Sequence, residues 1–280
     1  MKLFKKLIFA AAFFGMLFIG ASAEEIAEYP TGMMFSAEGI AAENEPDSDI
    51  RLFSNQSLED YLIEQCMNHM TEIDVSNYNI PDSEIKNIYF SFATRHPELL
   101  IRTVFRYRYN NNHIILTILP DYIFDSVEQD NKARLFMQEK INEYVELVSQ
   151  FESPLEKLLA VHDKMVENYK YDYSATSNDI LPFHAYGIFK NNTAVCQGYA
   201  QAYYMILREL GIEANFCRSD SINHLWNYVK LDGKWYHVDV TWDDPNKTDN
   251  ISAAYHSNFL LSDDKRFQNI KNSFSDAEHD

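Results

Sequence analysis

Glycine is scarce in this chain, at eight of 280 residues. None has the spacing of a phosphate-cradling loop, which argues against a nucleotide cofactor. With three cysteines, no more than one disulfide can form. Basic residues are also few, 24 Lys and Arg against 42 Asp and Glu for a formal net charge of −18, so nucleic acid and anionic membrane surfaces are poor partners. The apolar run from Leu7 to Gly20 covers about 14 residues, short of the roughly 20 that span a bilayer. No internal repeat is visible, which excludes a solenoid. His237, Asp239, Asp243 and Asp244 lie close in sequence, but no second cysteine or spaced histidine pair completes a metal-ligand pattern. The Asp-Asp-Pro-Asn run at 243–246 reads instead as a turn. The expectation is an acidic protein with no cofactor and no metal.

What is present begins with a targeting signal. Lys2, Lys5 and Lys6 precede the apolar run, and Ala21-Ser22-Ala23 offers a small-residue cleavage site. The expectation is a signal peptide over 1–23, export to a secreted location, and no stable membrane insertion after cleavage. Loss of its three lysines would take the net charge to −21.

Three words in the last third carry chemistry: Val195-Cys196-Gln197-Gly198-Tyr199-Ala200, His224-Leu225-Trp226-Asn227 and His237-Val238-Asp239-Val240-Thr241-Trp242. From Cys196, apolar or aromatic residues recur at Tyr199, Ala200, Tyr203, Ile206, Leu207 and Leu210, a helical stripe that Gly211 closes. Cys196 thus falls in the first turn of a helix with Thr193 as an N-cap, where unpaired amides and the helix dipole favour a thiolate. The pair Asp232-Gly233 predicts a two-residue hairpin turn. If Leu231 pairs with Lys234, then His224, Trp226, Tyr228, Trp235, His237 and Asp239 share one face. His224 and Asp239 then lie diagonally, roughly 7 Å apart at the backbone, within side-chain reach. His237 shares the face and is the rival base, read as packing. The aromatics Trp226, Tyr228, Trp235 and Trp242 could wall a cleft for an extended acyl donor.

These words resemble the transglutaminase-like superfamily, in particular its bacterial secreted branch, from about Leu155 to Leu261. The resemblance implies Cys196 as nucleophile, His224 as general base and acid, and Asp239 as the group that orients the imidazole. Leu225 stands where such sequences usually carry alanine. Tyr186 is a candidate second oxyanion donor, outside the triad proper. The implied fold is α+β, a papain-like/transglutaminase-like core with the cysteine at a helix N-terminus packed on an antiparallel sheet that carries the histidine and aspartate.

Along the chain, 24–55 reads as a flexible acidic leader. Residues 56–152 read as a small α/β support module: two helices broken near Asn77–Pro81, a hairpin from Leu100 to Leu119, and a long helix from Asp125 to about Phe151. Ser153-Pro154 marks the boundary to a catalytic domain over 153–280. Phe105, Tyr107 and Tyr109 are either core of this module or an exposed substrate- or wall-binding set; aromatic alternation in a strand favours core. Cys66 and Cys217 could pair as a disulfide or remain buried thiols.

The expected function is cysteine-dependent acyl transfer on amide bonds of proteins or peptides, cell-wall peptide among them, through a thioester and with water as the preferred acceptor. A crosslinking or deamidating transglutaminase and a non-catalytic peptide- or glycan-binding module are the alternatives.

Overall fold

A computed structural model describes residues 57–244 and 254–266 with side chains, and residues 23–27 and 35–41 as backbone. The expected signal peptide therefore lies almost wholly outside the described residues. Among those residues, no helix is long and apolar enough to cross a membrane.

The chain forms two packed cores. The first is built on a sheet. β1 (Ala23–Ala27) pairs antiparallel with β2 (Phe35–Ala41), and β2 runs parallel to β4 (Ile101–Tyr109). β5 (Ile115–Tyr122) and the short β3 (Ile73–Asp74) complete the order β1-β2-β4-β5-β3. Two segments of the expected leader are thus strands. β2 covers the edge of β4 that β5 leaves open, so β4 is paired on both sides.

Two helices cover this sheet. α1 (Leu58–Met67) starts at Ser57, whose Oγ accepts the Asp60 N–H at 3.1 Å. α2 (Asp82–Arg95) lays Ile85, Tyr89 and Phe92 on the sheet, with Tyr89 stacked on Phe105 at 3.9 Å between centroids. Phe105 and Tyr107 belong to this core, which excludes them as an exposed binding set, and Tyr109 packs against it. Cys66 is a buried thiol in the same core, and Cys217 is also free.

The second core is mainly helical. α3 (Val127–Val148) and α4 (Pro154–Asn168) lead to β6 (Lys170–Tyr171), α5 (Ala185–Asn191), β7 (Thr193–Ala194) and α6 (Cys196–Glu209). β6 and β7 pair in parallel. A three-stranded antiparallel sheet follows, β8 (Ala214–Ser219), β9 (His224–Leu231) and β10 (Lys234–Val238), in the order β10-β9-β8. α6 runs through the middle, buried along most of its length.

Met137, Ile141, Tyr144 and Val148 of α3 pack in this second core, with Val161, Met165, Tyr203 and Ile206. The expected boundary at 152/153 therefore separates α3 from the core it fills. Ser153 caps α4 and Pro154 occupies its first turn, so the Ser-Pro signal marks a helix start within one core. The division of apolar residues between the two cores falls near Ile123.

Candidate active site

The site grows from a hairpin whose geometry is local. Asp232 and Gly233 have φ of 50° and 76°, the left-handed pair that a type I′ turn requires. Leu231 pairs with Lys234, and the register continues to Asn227 opposite Val238. That parity puts His224, Trp226, Tyr228, Trp235 and His237 on one face. The rings meet accordingly: Tyr228 on Trp235 at 5.2 Å, Tyr228 on His237 at 4.6 Å, and His224 on Trp226 at 5.6 Å.

Asp239 follows the end of β10, and its carboxylate is 1% exposed. His224 Nε2 donates to its Oδ2 at 2.6 Å, and the Trp242 N–H donates to its Oδ1 at 3.1 Å. The Cys196 thiol lies close enough to the His224 imidazole to raise its pKa. The structure therefore brings Cys196, His224 and Asp239 together in that order. Burial by itself would lower the imidazole pKa. The charges of Asp239 and Cys196 and the hydrogen bond to Asp239 outweigh it, and raise His224 to about 9. Burial alone would raise Asp239, but the His224 imidazole, Arg266 and the Trp242 amide hold it below the ordinary carboxylate range.

Cys196 is the first residue of α6, and the N-cap is Val195 rather than Thr193, which lies in β7. Val195 has extended φ and ψ of −91° and 177°, and no side chain caps the helix. The first turn sits against residues 181–184. A Cβ on Gly198 would stand 2.8 Å from the Pro182 oxygen and 2.7 Å from Ala194 Cβ, so glycine is needed here for close approach.

The thiol itself has no exposed surface. Phe90 of α2 belongs to the same small buried apolar cluster as Cys196, Ala200 and Leu225. The Arg218 guanidinium lies over the Phe90 ring at 4.8 Å. Gln197 Nε2 donates to Thr103 Oγ1 of β4 at 3.4 Å. The first unit is thus part of the wall around Cys196, a role that its own sequence does not signal.

Other expected participants are placed elsewhere. Tyr186 packs edge-on against Phe124 and Phe136, in the helical core. Tyr171 of β6 is the phenol close enough for Cys196 and Asp239 to act on it; burial first, then those charges, raise its pKa. His237 accepts the Trp226 Nε1–H at Nδ1, 2.9 Å, and Nε2 donates to Asp263 at 3.0 Å. Its carboxylate partner is therefore Asp263, and Cys217 Sγ lies 3.7 Å from the same Nδ1. Burial pushes the Cys217 thiol up to about 11, which keeps it protonated.

The set His237, Asp239, Asp243 and Asp244 does not converge. Asp243 accepts from His162 and Asn258, and Asp244 accepts from the Tyr199 hydroxyl at 2.7 Å. Among the described residues, the group that could hold a metal ion is His162, Asp163 and His256, with ligand atoms within 4.8 Å of one another. Hydrogen bonds of His162 and His256 to Asp163, at 2.9 and 2.7 Å, account for that geometry.

Trp226 and Trp242 flank the site's aromatic slot beside His224. They enclose the guanidinium of Arg266, a residue that sequence reasoning missed. A basic residue in an acidic tail gives no local sign of burial, and the one available clue is that a buried Asp239 needs more than one donor.

Part of the chain is similar to known proteins. The sequence model of the transglutaminase-like superfamily matches residues 143–240. Over 126 residues the chain is 25% identical to kyphoscoliosis peptidase of Mus musculus, across 39% of this chain and 19% of that protein. The chain thus spans about a fifth of that relative's length. Among solved structures, a TGase crystal structure has a TM-score of 0.37 at 15% identity, over 48% of this chain and 42% of the other. The periplasmic domain of TgpA from Pseudomonas aeruginosa, bound to ethylmercury, has a TM-score of 0.28 at 13% identity, over 46% and 60%. The segment that contains Cys196, His224 and Asp239 matches the transglutaminase-like superfamily model as one block over residues 143–240.

Proposed function

We propose that this protein is an exported cysteine-dependent acyl-transfer enzyme that hydrolyses amide bonds of peptides or proteins. The observation that carries the proposal is the buried hydrogen bond between His224 and Asp239, with the buried Cys196 close enough to the imidazole to act on its titration. Three such groups in line supply a nucleophile, a proton carrier and the group that orients it.

The Cys196 thiolate adds to the amide carbonyl carbon, and the π pair moves to oxygen, held by amides of the uncapped first turn of α6. Collapse of this adduct breaks the C–N bond, and the leaving amine takes its proton from the His224 imidazolium. The product is a thioester. Water then adds to the thioester as His224 accepts its proton, and loss of sulfur gives a carboxylic acid and restores the thiol. Asp239 fixes the tautomer and stabilises the imidazolium throughout. Water is the favoured acceptor because no feature of the site among the described residues binds an amine.

The test uses the full chain with a mixed peptide library and mass-spectrometric detection of new carboxyl termini, run beside Cys196→Ala. Loss of hydrolysis by about 10³-fold or more in the variant is expected. A parallel reaction with a fluorescent primary amine reads transamidation. Incorporation of the amine faster than hydrolysis would overturn water as acceptor, and equal activity of Cys196→Ala would overturn the thiol chemistry.

A further inference from the structure

Arg266 is 1% exposed, and its guanidinium lies between two indole rings, 4.5 Å from Trp226 and 4.3 Å from Trp242. Its Nη2 donates to Asp239 Oδ2 at 2.5 Å, the same oxygen that accepts from His224. Its Nη1 donates to Asn258 Oδ1 at 2.8 Å. The same two indoles stack on the His224 ring, at 5.6 and 5.0 Å. Imidazole and guanidinium therefore stand side by side in one aromatic slot, joined by one carboxylate oxygen.

Asn258 is itself fixed. Its Nδ2 donates to Asp243 Oδ1 at 3.1 Å, and its carbonyl accepts the Asp239 N–H at 3.0 Å. Asp243 also accepts from His162 Nε2 at 3.1 Å. Arg266 is thus anchored at one end to a buried polar frame and at the other to the carboxylate of the site.

The charge balance explains why an arginine is buried here. A thiolate, an imidazolium and a carboxylate sum to one negative charge in a volume with almost no water, and an unbalanced buried charge is costly. With Arg266 the row Cys196, His224, Asp239, Arg266 alternates in sign and sums to zero. A hydrophobic residue of similar size would fill the slot but take one charged partner from the buried Asp239 carboxylate, which is costly. It would leave the negative charge unbalanced.

We propose that Arg266 is a positioning residue of this site, which orients Asp239 and supplies the balancing charge that lets Cys196 and His224 rest as an ion pair. The proposal rests on the thiol chemistry above and adds a fourth member to its charge row.

The experiment measures iodoacetamide alkylation of Cys196 by site-resolved mass spectrometry on the full chain, at pH 6 and pH 9, for wild type, Arg266→Met and Arg266→Lys. The ratio of the two rates cancels differences in access to the thiol. In Arg266→Met the pH 6 to pH 9 ratio is expected to fall about tenfold, as expected for loss of one neighbouring opposite charge. In Arg266→Lys, which keeps the charge but loses the planar fork and its stacking, the expected fall is about threefold. Peptide hydrolysis should lose kcat by a similar factor with KM unchanged. Near-UV circular dichroism identifies folded variants, and Arg266→Lys decides alone if Arg266→Met does not fold. A folded variant with the wild-type ratio overturns the role of Arg266. A wild-type ratio equal to that of free cysteine overturns the thiol chemistry itself, and this outcome is read before any variant is compared.

Discussion

The two cores of this chain bury different things. The first is oil: Leu62, Ile85, Tyr89, Phe92, Phe105 and Ile118, with Tyr89 and Phe105 stacked at its centre. The second contains comparable apolar packing around α6 and, beside it, a buried polar frame of His162, Asp243, Asn258, Arg266, Asp239 and His224. Apolar burial contributes roughly 1.5–3 kcal/mol per large side chain, whereas a buried ion pair rarely exceeds what a hydrophobic replacement would give. The first unit is therefore organised for stability. The second accepts a less favourable interior, and its buried polar frame extends to the His224-Asp239 pair of the site.

The sharpest test of this contrast is Asp243→Ala. It strips the partner from His162 Nε2 and from the Asn258 backbone and side-chain N–H groups. A loss of about 3–5 kcal/mol is expected, as for removal of one partner from a buried charged network, read by urea denaturation with fluorescence. A loss below 1 kcal/mol would mean the frame is not under tension from its burial. Ile85→Ala in the first core is the matched control. The cavity should cost about 2–4 kcal/mol, while the pH 6 to pH 9 alkylation ratio of Cys196 in the folded protein stays at the wild-type value.

Titration separates the cores as well. His224 is raised to about 9 from an ordinary 6.5, so its contribution is complete below pH 6.5 and is lost as pH rises through 9. The size is on the order of 3 kcal/mol. Denaturation midpoints at pH 6.5, 8 and 9.5 should fall in wild type and stay flatter in His224→Gln. Equal slopes would remove His224 as their source.

The smallest effect is expected where the units meet. Burial alone would raise the Glu98 carboxyl, but hydrogen bonds from His96 and from Arg208 of α6 lower it to about 2. Glu98→Gln should cost about 1 kcal/mol at pH 7, given the partial exposure of the pair. That cost should vanish as pH drops from about 4.5 through 2, where the wild-type carboxyl takes up its proton.

Legibility in the sequence tracks the range of the interaction. The Asp232-Gly233 turn sets the hairpin register, and two-residue periodicity then places His224 near Asp239 without further information. The stripe from Tyr199 to Leu210 defines α6 and so the position of Cys196 on its first turn. These are local rules of turn and helix. The cluster of Phe90 with Cys196 joins residues 106 positions apart, His162 and Asp243 are 81 apart, and no periodicity encodes either meeting. Ser153-Pro154 misled for a related reason. Cap and first-turn signals say where a helix starts, and only packing says which core that helix joins. The strand at Phe35–Ala41 likewise depends on an edge of β4 that exists only in the folded sheet.

The cover over Cys196 also bears on the lifetime of the molecule. Thiolates exposed to peroxide advance to sulfenic acid and then to acids that cells do not readily reverse. A sulfur with no exposed surface, clustered with Phe90, Ala200 and Leu225, meets neither oxidant nor heavy metal until its surroundings move. The packing that covers the sulfur thus also slows its loss to oxidation.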